Sequence, residues 1–208
     1  MTRKTVVFDV GGVIVRWQPL QLLREHLPMI DAQEALARVF EGWALDSDWR
    51  EFDLGRVDAE GLADRIARRT GYAREAIAAL IASVPAHLQP MPESVALIER
   101  VRGAGHRLAL LSNMPAPYAD HLEAAHACFA WFELRAWSGR LGLAKPERAI
   151  FDHLKAALAI DDPAHLLFID DHQGNVDTAS GCGWNALHFA GAARAERQLC
   201  ERGWLSQA

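Results

Sequence analysis

The stretch Val6-Val7-Phe8-Asp9-Val10-Gly11-Gly12-Val13-Ile14-Val15 decides the reading of this chain. It sets one carboxylate at the end of a short apolar strand, directly before two glycines. A run this apolar belongs in a buried strand, and glycines allow a sharp turn and a close approach to a ligand. A carboxylate at such an edge is costly to bury unless it binds something or takes part in chemistry. An Asp that merely caps a turn would look the same in this segment alone, so the weight falls on three later segments.

Each of those closes another apolar run. Leu110-Leu111 is followed by Ser112-Asn113, a hydroxyl and an amide at a strand end. Gly142-Leu143-Ala144-Lys145-Pro146-Glu147 sets a lysine just before a helix start, where anions are favoured. Leu167-Phe168-Ile169 ends in Asp170-Asp171, with Asn175 shortly after. Adjacent carboxylates raise each other's pKa without a counter-ion, so a pair at a strand end marks a hard-cation site. Taken singly, Ser-Asn reads as a turn and Lys145 as a solvated surface charge. Together they supply what is needed to hold a phosphate, neutralise it and attack it.

Apolar runs at 5–8, 107–111, 134–137, 166–169 and, more weakly, 186–189 read as strands. Helical patterns at 93–102, 118–127, 147–158, 175–180 and 194–202 lie between or after them. This alternation predicts an α/β fold, a parallel sheet with helices on both faces. The segment from 18 to 89 breaks it, with no convincing strand and amphipathic stretches at 59–70 and 74–83. Gly71 closes the first of these, Gly105 stops the helix after 93–102, and 85–92, with three prolines, reads as a linker. The domains expected are therefore 1–17 with 90–208, and a helical insertion over 18–89.

Composition narrows the classes. The chain has 208 residues, 50% hydrophobic and 24% charged, with a net charge of -5. Its arginines are interspersed with acids, so neither nucleic acid nor a membrane surface is an expected partner. No apolar run is long enough to span a bilayer. Cys128, Cys182 and Cys200 are scattered and odd in number, which suits packed thiols in a reducing cytoplasm.

The order Asp9, Ser112, Lys145, Asp170-Asp171 resembles the haloacid dehalogenase-like hydrolase superfamily, over nearly the whole chain. The wording of the three motifs around Asp9, Lys145 and Asp170 is most similar to the subgroup containing bacterial alpha-glucose-1-phosphate phosphatase. The resemblance implies a Rossmann-like core with a small helical cap inserted after the first strand. It implies a Mg²⁺-dependent phosphatase of small phosphate esters, such as sugar phosphates, acting through an aspartyl phosphate. Asp9 would be the nucleophile, and Ser112 with the Asn113 backbone N–H would hold phosphate oxygens. Lys145 would bridge Asp9 and phosphate. Asp9, Asp171 and the Gly11 carbonyl would bind Mg²⁺, with Asp170 and Asn175 behind them.

One departure matters. Phosphatases of this family usually carry a second Asp two residues after the nucleophile, which protonates the leaving group. Gly11 stands there, as in the glucose-1-phosphate-type subgroup. A missing acid predicts a steep dependence of rate on leaving-group pKa, unless another group such as His172 carries the proton. It also leaves two rivals open, a haloacid dehalogenase and a weakly catalytic binding or regulatory module.

Substrate choice points to the insertion. Trp43, Trp49 and Phe52 share a stretch with Asp46, Asp48 and Arg50, a mixture that suits a sugar face, although such aromatics equally fit cap core. Trp17 would line the mouth. Trp131, Trp137, Trp184 and Trp204 read as packing residues.

Overall fold

Strand β1 (Thr5–Phe8) is the middle strand of a five-stranded parallel sheet ordered β3-β2-β1-β4-β5. The other strands are β2 (Arg107–Ser112), β3 (Leu134–Trp137), β4 (Leu166–Asp170) and β5 (Asn185–His188). The computed structural model describes residues 4–40 and 46–206. Chain order runs outward from β1 through β2 to β3, then returns beside β1 with β4. That reversal is the switch point where open α/β sheets leave a ligand crevice at their carboxyl ends.

All four β1 residues are buried, because β1 is covered on both faces. Their side chains alternate. Val6 and Phe8 join one apolar layer with Leu108, Leu110, Leu167 and Ile169. Val7 joins the opposite layer with Ala109, Leu111, Leu166 and Phe168. Each such side chain, fully buried, contributes about 1.5–3 kcal/mol over leaving it in water.

Between β1 and the next sheet-layer helix come α1 (Pro19–His26), α2 (Ala32–Val39), α3 (Asp48–Asp53), α4 (Ala59–Thr70) and α5 (Arg74–His87). Helix starts follow side-chain chemistry: Asp31, Ser47 and Asp58 each accept a bond from an N–H of the first turn. Helices α6 (Pro92–Gly103), α7 (Ala116–Ala125) and, later in the chain, α11 (Ala192–Glu201) cover the Val6 face. After the short α8 (Ser138–Leu141), α9 (Arg148–Ala157) and α10 (Gln173–Gly181) cover the Val7 face.

The strands and helices expected outside the insertion lie within two residues of their expected bounds, whereas the short α8 was not expected from pattern. The end of α5 departs from its expected bound. Residues 85–87, read as linker, continue the helix, with Pro85 inside it. Proline lacks the N–H that would bond the carbonyl four residues back. That carbonyl belongs to Ile81, and the Tyr118 hydroxyl of α7 donates to it instead at 2.6 Å. The proline is tolerated because a tertiary partner replaces the lost bond.

Trp137 and Trp184 are buried packing residues, as expected, and all three cysteines are free thiols. Among the described residues no helix is long and apolar enough to cross a membrane.

Candidate active site

Register brings the motif residues together. Phe8 pairs with Leu110 on one side and Ile169 on the other, so Asp9 leaves β1 level with the ends of β2 and β4. Its N–H is anchored on the Ile169 carbonyl at 2.9 Å. The chain then turns back tightly, with the N–H groups of Val13, Ile14 and Val15 all directed to the Val10 carbonyl. Gly12 has φ 73°, and a Cβ there would stand 2.2 Å from Asp171 Oδ2. Glycine is therefore required for Asp171 to lie over this turn.

Lys145 is the hub. Its ammonium lies 2.8 Å from Asp9 Oδ1 and 2.6 Å from Asp170 Oδ2, and all three side chains are buried. Asn113 fixes the lysine backbone from both sides, accepting from Lys145 N at 2.8 Å and donating to Lys145 O at 2.9 Å. Asp170 also accepts from the His172 N–H at 2.7 Å and from Asn175 Nδ2 at 3.0 Å on each oxygen. Its carboxylate is thus occupied in orienting Lys145, while Asp9 and Asp171 face the open side.

The charges do not cancel. Oxygens of Asp9, Asp170 and Asp171 lie within 4.8 Å of one another, around a single ammonium. Burial pushes the Asp9 carboxyl up to about 7, with Lys145 opposing and the two neighbouring acids adding to the rise. Burial, then Asp170, raises Asp171 as well. Burial works against the Lys145 ammonium, but Asp170 and Asp9 outweigh it and hold the lysine above its usual value. An oxygen-only set with excess negative charge is the donor chemistry a hard divalent cation requires.

A cavity of about 380 Å³ lies over these groups. Asp9, Gly11, Ser112, Asn113, Lys145 and Asp171 line it, with His172 and Asn175. Trp17, Trp49, Val84, Leu88, Met114 and Tyr118 also line it. Trp17 and Trp49 therefore face the cavity. Phe52 does not line it; the ring packs behind, 6.0 Å from Trp49 and 5.4 Å from Tyr118. Trp43 lies outside the described residues. Asp48 turns away to pair with Arg65 and Arg69.

Two residues of α3 reach the site that pattern reading did not assign to it. Arg50 donates to the Lys145 carbonyl at 3.0 Å and pairs with Glu147, which ties the insertion to the loop that carries Lys145. Asp53 lines the cavity. Its backbone carbonyl accepts from Ser138 Oγ at 2.5 Å, and Ser138 Oγ in turn accepts from Met114 N at 2.8 Å. Burial pushes the Asp53 carboxyl up to about 8, against the pull of Arg50 and Lys145. Nothing in periodicity distinguishes Asp53 from the other acids of this polar stretch. The signal was chemical: with Gly11 in the acid position, any carboxylate on the insertion deserved weight.

An edge carboxylate salt-bridged to a buried lysine, beneath helices inserted after the first strand of a parallel sheet, is a site of polar chemistry at a switch point. Residues 3–183 match the family model of haloacid dehalogenase-like hydrolases, and the chain belongs to that family. A relative, the sesquiterpene phosphatase astK of Aspergillus oryzae, is 26% identical over 189 residues, covering 90% of each chain. Two solved structures share the fold at 20% identity and a TM-score of 0.69. One is the HAD family enzyme bt-2542 of Bacteroides thetaiotaomicron in complex with magnesium and inorganic phosphate, with 89% of this chain and 93% of that one covered. The other is the L-2-haloacid dehalogenase of Xanthobacter autotrophicus, with 96% and 83% covered.

Proposed function

We propose that this hydrolase is a Mg²⁺-dependent phosphatase of small phosphate monoesters that works through an aspartyl phosphate on Asp9. The observation that carries the reading is Asp171: a third carboxylate beside a lysine already shared by Asp9 and Asp170. Asp9, Asp171 and the Gly11 carbonyl would hold the ion, which when bound offsets phosphate charge and keeps Asp9 ionised. Lys145 orients the Asp9 carboxylate and neutralises a phosphate oxygen. Ser112 and the Asn113 N–H bind the others. Phosphoryl transfer needs mainly such positioning and charge stabilisation.

Gly11 favours the second reading, a dehalogenase, which needs no metal and would leave Asp171 without a purpose. For the organic part of the substrate, Trp17 and Trp49 offer faces on which a sugar could stack. Val84, Leu88 and Met114 beside them favour hydrocarbon, in keeping with the fungal relative's being a sesquiterpene phosphatase.

The test is a panel of terpenyl, aryl, sugar and acyl phosphates and 2-haloacids, assayed with Mg²⁺ and with chelator. Expected is phosphate release that needs the metal, with kcat/KM higher for terpenyl and aryl esters than for sugar phosphates. Halide release insensitive to chelator, without phosphate release, would replace this reading by the dehalogenase.

A further inference from the structure

When a phosphate monoester of an ordinary alcohol is cleaved, the departing oxygen is a poor leaving group unless it gains a proton. The position from which this family normally supplies it holds Gly11, so the proton has to come from elsewhere. Three other side chains that could carry one line the same cavity: His172, Tyr118 and Asp53. His172 is solvent-exposed and adjoins the Asp170-Asp171 pair on the nucleophile's side. Burial, and then the nearby Asp53 carboxyl, holds Tyr118 far above the phenol range, and its hydroxyl is already committed to the Ile81 carbonyl. Asp53 comes from α3 of the insertion and lines the same cavity as Asp9.

From this geometry we propose that Asp53 is the general acid of the first half-reaction and the general base of the second. The proposal rests on the phosphatase reading above. As Asp9 Oδ forms its bond to phosphorus, the bond from phosphorus to the ester oxygen breaks, and the Asp53 carboxylic acid gives its proton to that oxygen. The alcohol leaves, with Asp9 phosphorylated and Asp53 ionised. Water then attacks phosphorus, Asp53 takes one of its protons, and inorganic phosphate departs as Asp9 is regenerated. Protons and charge balance over the two steps, and no further reactant is required.

The placement is built rather than incidental. Ser138, buried, holds the Asp53 carbonyl. Gly55, with φ 71°, follows two residues later, and a Cβ there would meet the Gly139 carbonyl at 2.8 Å. A Cβ on Gly139 would stand 2.6 Å from Ala116 N. These two glycines let the end of α3 sit against the core turn, which fixes the backbone that carries Asp53 at the cavity. The charged and titratable groups around the carboxyl are Arg50 on its own helix, Lys145 on the core loop and Tyr118 on α7. Asp9, Asp171 and His172 share its cavity. Burial outweighs the two cations and keeps the acid protonated near neutral pH.

The test uses the whole chain with Mg²⁺ and a series of monoesters of graded leaving-group pKa, from 4-nitrophenyl through phenyl to alkyl, with acetyl phosphate as the ester needing no acid. For wild type the series should be shallow. In kcat/KM, which reports steps up to transfer of the phosphoryl group, Asp53→Asn should lose about 10²- to 10⁴-fold on the alkyl ester and far less on acetyl phosphate, steepening the series. The kcat, which includes water attack on the shared phosphoenzyme, should fall on both. Asp53→Glu should recover part of the alkyl rate. In wild type kcat/KM for the alkyl ester should fall above about pH 8 while that for acetyl phosphate does not, and this divergence should disappear in Asp53→Asn but persist in His172→Gln. Equal losses of kcat/KM on all substrates of the series, or an unaltered kcat/KM series, in a folded Asp53→Asn protein would overturn the assignment. Should that variant not fold, the wild-type profiles decide, and identical alkaline limbs for alkyl and acetyl esters overturn it. Failure of the phosphatase reading looks different: wild type then turns over neither acetyl phosphate nor 4-nitrophenyl phosphate.

Discussion

At the scale of residues, the site is a set of buried charges that can be perturbed one at a time. Gly11 has ordinary backbone, and a Cβ added there would meet nothing nearer than the Trp17 Cβ at 4.0 Å. Glycine at this position is therefore not forced by sterics, unlike Gly12. Gly11→Asp should fold, and in an Asp53→Asn background it should recover alkyl phosphate turnover by about tenfold or more, since a positioned acid is worth about 10²- to 10⁴-fold; the measurement is kcat/KM on the graded ester series. Asp53 also predicts a stability trend. Its folded value is raised above the unfolded one, so the folded state binds the extra proton. Stability is then unaffected by this group below about pH 4 and falls as pH rises toward about 8. Asp53→Asn removes that slope. Thermal melts across this range should show the variant gaining on wild type as pH increases, and parallel curves would contradict it.

At the scale of elements, contacts between the insertion and the core decide what pattern reading reaches. The strand ends were legible, because Asp9, Ser112, Lys145 and the Asp170-Asp171 pair each close a local apolar run or precede a helix. Register of a parallel sheet then aligns them without further information. The roles of Arg50 and Asp53 were not legible, since both depend on how α3 docks. Pro85 misled for the same reason. Its helix persists through a bond from Tyr118, more than thirty residues away in sequence. Tyr118→Phe should leave the Ile81 carbonyl unpaired in a buried setting and destabilise the protein by about 1–3 kcal/mol. Urea unfolding would read this, and a loss below a few tenths of a kcal/mol would mean that the proline end of α5 holds without it. Phe52 belongs to this scale too: its spacing among aromatics fitted a substrate wall and a packed layer equally, and docking sets it behind Trp49.

At the scale of the whole molecule, one continuous apolar layer joins the insertion helices to the Val6 face of the sheet, so cavity wall and catalytic floor are held by the same core. Family membership fixes the chemistry only as far as hydrolysis, and the proposal places the Asp9 carboxylate as nucleophile. The remaining question is which atom that carboxylate attacks. The most direct measurement is acid quenching of the full chain during turnover of acetyl phosphate with Mg²⁺, followed by peptide mass spectrometry. The expected result is one phosphoryl group on the peptide containing Asp9, absent in Asp9→Asn and absent with chelator. Turnover with no phosphorylated Asp9 peptide, or phosphorylation that persists in Asp9→Asn, would contradict the account.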